Sequence, residues 1–168
     1  MSKLWDMAGV DSVEVAQLVF GKLIGYLAPF QSVDIVLEGE ECSVLRLCDH
    51  NFRIRYAGPL DRLIHPLQRC VSLQQYAWLS TLTIPTHQLS TQTQRATVRP
   101  PHRLEKLPNH QAVPARFKGI SLLIWRHLIQ EQSAIELHTA KKDLSKLMAQ
   151  LDPLTHEQTP AKRRHELT

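Results

Sequence analysis

The stretch FKGISLLIWRHLIQEQSAIELHTAKKDLSKLMAQL, residues 117–151, decides the fold class. Read at helical spacing, Ile120, Leu123, Ile124 and Leu128 line one face after Gly119, with Trp125 beside them. Ser133-Ala134-Ile135-Glu136 has the form of a capping box, which predicts a break and a restart. Leu137, Ala140, Leu144, Leu147 and Leu151 then follow at steps of 3, 4, 3 and 4. That is the a/d seam of a helix lying against a neighbour. Two heptads are too few for a free coiled coil, which takes about three or four. The seam therefore predicts a protein partner, self-association, or packing within the chain. Asp152-Pro153 ends it, and residues 153–168 read as a disordered tail.

Upstream, the core signal fades between Pro85 and Pro114. Five of the chain's 10 prolines fall here, among Ser, Thr and Gln, so the cost of ordering the segment is hard to offset. Residues 85–116 are expected to form a basic, Pro-rich connector or arm. Residues 91–130 carry seven Lys and Arg against one acid, whereas residues 1–50 carry three against eight. An acidic front and a basic middle point to an acidic partner, either a protein face or a nucleic-acid backbone. The candidate contacts are Arg95, Arg99, Arg103, Lys106, Arg116 and Lys118.

Residues 1–84 read as an α+β core domain. Asp11-Ser12-Val13-Glu14 is a second capping-box pattern, and Val13, Ala16, Val19, Phe20, Leu23, Ile24 and Leu27 form one apolar helical face ending before Pro29. From Gln31 the period changes to two. Val33, Ile35 and Leu37, then Val44, Leu45 and Leu47, then Phe52, Ile54 and Tyr56 make three short runs with polar turns between them, an antiparallel meander. Arg53 and Arg55 alternate with the last run, so one side of that sheet is expected to be wet and basic. Residues 60–80 have a helical pattern broken at Pro66. The expected architecture is α+β: N-terminal helix, three-stranded meander, broken helix, basic connector, and a C-terminal helical segment over 117–152.

Chemical signatures are sparse. No GxGxxG, P-loop, HExxH or GxSxG string occurs, and the six glycines never cluster into a phosphate cradle. Cys42 and Cys48 would sit about 20 Å apart along one strand, too far for one zinc ion. Cys48 and His50 share a strand face, but nothing around them resembles an oxyanion hole. No catalytic residue, metal or cofactor is expected. No run reaches the roughly 18 apolar residues of a membrane span, and the start lacks the shape of a signal peptide. The sequence thus predicts a non-enzymatic, cytoplasmic adaptor or small subunit of a larger assembly. The alternative is a nucleic-acid-binding regulator using the 95–118 arm.

Overall fold

The computed structural model describes residues 3–88, 97–98 and 102–155. It is mostly β, with 49% of residues in strands, and this overturns the helix-rich α+β expectation. The first sheet has the order β2-β3-β4-β1-β5, from β1 (Lys3–Ala8), β2 (Ser32–Leu37), β3 (Glu40–Cys48), β4 (Asn51–Tyr56) and β5 (Ser72–Gln75). The second has the order β6-β11-β10-β9, from β6 (Leu79–Pro85), β9 (Gln111–Phe117), β10 (Ile120–Ile129) and β11 (Gln132–Ala140). All pairings are antiparallel. A short ladder joins β7 (Thr97–Val98) to β8 (His102–Arg103).

The largest correction falls on residues 117–140, which are strands. The reason lies in burial. In β10, Ile120, Leu122 and Ile124 enter one apolar cluster, while Trp125 and His127, on the opposite face, are also buried. A strand buried on both faces gives a continuous apolar run, which periodicity cannot separate from a buried helix. Within residues 117–155, helix appears only at α3 (Lys141–Thr155). Leu137 and Ala140 of the expected seam belong to β11; Leu144, Leu147 and Leu151 lie on α3.

Other boundaries move for similar reasons. The N-terminal helix α1 covers Ser12–Phe20 and stops at Gly21, whose φ of 104° helical residues do not adopt. A 3-10 turn, Lys22–Tyr26, follows. The expected broken helix is one short helix, α2 (Leu60–Ile64), with a 3-10 turn over His65–Leu67; the chain after it joins the sheets as β5 and β6. The expected connector contributes β9, whose Pro114 is tolerated because β9 is an edge strand. Residues 156–168, Arg95 and Arg99 lie outside the described residues.

Four layers result. The first is α1 and α2, whose Val15, Ala16, Phe20, Leu60 and Ile64 cover the Met7, Val44, Phe52 and Ile54 face of the first sheet. The fourth is α3, whose Leu147 and Leu151 cover Ile124, Ile135 and Leu137 of the second sheet. The two sheets meet through their remaining faces. Sandwich interiors are ordinarily apolar. This one holds a small cluster of Leu45, Ala112 and Trp125, and beside it a layer of charged side chains.

Candidate functional site

Strand alternation places that layer. With Phe52, Ile54 and Tyr56 facing the helices, Arg53 and Arg55 must face the second sheet. In the same way Val33 and Ile35 send Asp34 inward, Cys42 and Val44 send Ser43 inward, and Ile135 and Leu137 leave Glu136 and His138 opposite Arg53 and Arg55. The arginine face expected to be wet is therefore covered: Arg53 is 9% exposed, Glu136 1%, His127 0% and His138 2%.

Contacts run across the sandwich without a break. Arg55 Nε lies 3.1 Å from Glu136 Oε2. His138 Nε2 donates to Glu136 Oε1 at 2.6 Å, which leaves its Nδ1 to accept from Arg53 Nη1 at 3.1 Å. Arg53 Nη2 donates to Tyr76 Oη at 3.2 Å, and Tyr76 hydrogen-bonds Asp6. On the other side His127 Nε2 faces Glu136 Oε2 at 3.5 Å, while its Nδ1 lies 3.1 Å from Ser43 Oγ and 3.3 Å from Asp34 Oδ1. Asp34 Oδ2 accepts from the Leu128 N–H at 3.0 Å and lies 3.2 Å from His110 Nδ1. Trp125 stacks on His127 with ring centres 4.1 Å apart and donates Nε1–H to Ser32 Oγ at 2.9 Å.

The charge states follow. Burial pushes the Glu136 carboxyl up, but hydrogen bonds from His127 and His138 outweigh it and hold Glu136 far below the ordinary carboxylate range. Burial also works against charge on Asp34, where His127, Ser43 and the Leu128 amide prevail and lower its pKa. Burial would discharge His127; Asp34 and Glu136 reverse that and raise its pKa. His138 goes the other way. Burial, Arg53 and His127 keep it neutral, against the pull of Glu136. The centre of the layer thus sets Arg55⁺ and an imidazole biased toward its protonated form, His127, around Glu136⁻ and Asp34⁻, with Arg53⁺ held by neutral acceptors.

Ser43, His127 and Glu136 have the sequence of contacts of a nucleophile, base and orienting acid. Ser43 is 2% exposed, however, and His127 is fully buried. A substrate carbonyl has no approach to that hydroxyl. The Cys42 thiol is pushed up to about 12 by burial and by Asp34, which leaves it inert. Among the described residues no group of three or more His, Cys, Asp or Glu is placed to hold a metal ion. No helix among them is long and apolar enough to cross a membrane.

The buried layer reaches a cleft at one end. Arg53 and His138 line a cavity of about 230 Å³, together with Trp78, Leu122, Ser121 and Asp143. The Trp78 indole is 60% exposed and packs edge-on to Tyr76 at 5.4 Å. α3 starts here, its Lys141 N–H bonded to the Trp78 carbonyl.

The expected site residues are scattered. Leu137, Leu147 and Leu151 are buried in the core under the second sheet, so the apolar seam is covered by this chain itself. Leu144 is half-buried. Lys106, Arg116 and Lys118 are exposed, on a 3-10 turn, on β9 and in the β9–β10 turn. Arg103 lies on β8. None of the polar residues of the buried layer was among the expected site residues. The signal that could have found them was the alternation of Arg53 and Arg55 with a core-facing run.

No family model matches the chain, and no curated protein matches it. Solved structures do. One is the glycine cleavage system aminomethyltransferase T of Bartonella henselae, with a TM-score of 0.63 and 16% identity over 89% of this chain. This chain spans 43% of that one, less than half its length. Another is a chain of the heterotetrameric sarcosine oxidase of Corynebacterium sp. U-96, solved with pyrrole 2-carboxylate. There the TM-score is 0.65 with 12% identity, over 95% of this chain and 84% of that one. The likeness is one of fold. Both relatives of the fold are enzymes or parts of enzymes, and at these identities nothing further passes to this chain.

Proposed function

We propose that the chain is a small subunit of a heteromeric, cytoplasmic assembly, contributing structure and contact surface rather than bond-making chemistry. The observation that carries this is the apolar surface around α1. Val10, Leu18, Leu23 and Tyr26 are 70%, 60%, 73% and 83% exposed within one short stretch of chain, where a solvated helix normally presents charge. Two further points support it. The sarcosine oxidase chain with this fold works within a heterotetramer and has nearly this chain's extent. The residues best suited to catalysis are sealed between the sheets. The three unpaired cysteines suit a reducing compartment.

Tagged protein purified from its native host, with nuclease added, is expected to carry one stoichiometric protein partner. Leu18→Asp with Tyr26→Asp is expected to lose that partner while far-UV circular dichroism and Tm stay unchanged. A monomer, or a complex that nuclease dissolves, would overturn the reading; the second outcome would favour the nucleic-acid alternative.

A further inference from the structure

Arg53 is the unusual member of the buried layer. The residue is more than nine-tenths buried, yet the ion pair to Glu136 belongs to Arg55. Arg53 is held by a neutral imidazole nitrogen and a phenol oxygen, and Asp6 acts on it across space while bonded to Tyr76. Its Nε–H, itself sealed from solvent, has no hydrogen-bond partner among the described residues. A buried cation with an unused donor is costly unless an anion completes it. That same side chain lines the cleft beside Trp78.

The rest of the cleft fits a small anion with an apolar body. α3 begins at its wall, and although the Lys141 N–H is taken by the Trp78 carbonyl, the start of a 15-residue helix carries partial positive charge. Leu122 and the Trp78 ring supply apolar surface, and Ser121 adds a hydroxyl. The volume, about 230 Å³, lies below that of drug-sized sites and suits a ligand of a few to about ten heavy atoms. A carboxylate matches a guanidinium edge better than a spherical anion does, because its two oxygens can take two parallel N–H donors.

We propose that this cleft is a binding site for a small organic carboxylate, its oxygens on Arg53 and its hydrocarbon part against Trp78 and Leu122. Asp143, in the first turn of α3, also lines the cleft and sets its selectivity. Its charge disfavours dianions and limits the affinity for monoanions. The site does not depend on the assembly reading, since it is complete within one chain.

The test uses benzoate, with benzamide as the neutral molecule of the same shape, titrated into the purified full chain by calorimetry. Benzoate is expected to saturate one site with Kd on the order of 1 mM or tighter, and benzamide to bind about tenfold more weakly or worse. In ¹⁵N NMR the Arg53 Nε–H resonance is expected to move with benzoate occupancy. Asp143→Asn is expected to tighten benzoate several-fold, and Trp78→Ala, at an exposed position, to weaken it. Arg53→Lys is the direct variant; because Arg53 is core-buried, its binding result counts only if its Tm stays near that of the parent. Absence of saturable binding, equal affinity for the amide, or an Arg53 Nε–H resonance that stays fixed would each overturn the proposal. So would surface variants that leave benzoate affinity unchanged. None of these outcomes bears on whether the Leu18/Tyr26 face recruits a partner.

Discussion

Arg55 Nε and Glu136 Oε2, 3.1 Å apart, join the second residue from the end of β4 to the middle of β11, and so tie the two sheets together through a charge pair. Glu136 is also the acceptor for His138 and faces His127, so one carboxylate is shared by three basic side chains. It supplies the negative charge that Arg55 meets where the two sheets close. The contact between the sheets thus combines electrostatic matching with apolar packing, and that makes it sensitive to single charges.

Glu136→Gln keeps the volume and removes the charge. It leaves the half-buried Arg55 without its counter-ion and His127 with Asp34 alone, and breaking a buried pair costs about 3–5 kcal/mol. The variant is expected to unfold at distinctly lower urea concentration with an unchanged m value. Retention of parental stability would show that the carboxylate is not what holds the sheets.

Stability should depend on pH from both sides. Asp34 and Glu136 have lowered pKa values, so each contributes stability that is complete above about pH 5 and lost as pH falls through the folded value. His138, also lowered, adds to the acid loss, because the unfolded chain takes up its proton first. Asp6, raised by burial, opposes that loss in part. His127 works in reverse. Its raised pKa gives stability that is full below about pH 6.5 and lost as pH rises through the folded value. Tm measured against pH is expected to peak in the mildly acidic range, and His127→Gln is expected to flatten the alkaline limb and to make the acid limb shallower, because His127 is the first of the groups that hold Asp34 and Glu136 down.

Much of this was legible only in pieces. The three strands over 32–56 follow from period-two alternation bounded by Gly39 and Asn51, because the face turned to the second sheet carries polar residues and the face under the helices apolar ones. The alternation of Arg53 and Arg55 was visible too. What covers them was not, since the covering strands β10 and β11 are buried on both sides and mimic helices. The buried layer is also assembled from residues about 85 positions apart in sequence, as with Arg53 and His138. Such pairings leave no local periodic trace. β1 went unseen because Asp6, which belongs to the polar layer, breaks its apolar run.

Leu147 tests what the carboxyl-terminal helix does. It is fully buried under the second sheet, and truncation to Ala is expected to cost about 2–5 kcal/mol. Chemical denaturation would read this directly. Size-exclusion chromatography of the same variant is expected to show the parental oligomeric state, because the leucine packs inside its own chain. A variant that stays equally stable but dissociates would return α3 to the role of a partner surface.

The β10–β11 turn explains the fold misreading and offers its own test. Leu37 pairs with Glu40, Phe117 with Ile120, and Ile129 with Gln132, so each of these hairpins has a two-residue loop. Both loop residues have positive φ in all three: 50° and 83° at Glu38-Gly39, 46° and 86° at Lys118-Gly119, and 50° and 60° at Gln130-Glu131. That is the mirror-image turn suited to twisted strands, for which Asn-Gly is the preferred pair. The first two loops carry a glycine at the second position and the third carries none, so nothing in its sequence announces a reversal. Two side-chain-bearing residues in the left-handed region cost about 1–2 kcal/mol each relative to right-handed backbone. Replacing Gln130-Glu131 by Asn-Gly is therefore expected to raise stability by roughly 1 kcal/mol and leave the contacts of Glu136 and His138 in place. The variant should show a higher Tm with the same pH profile. A lower Tm would mean that residues 120–140 do not turn at this point.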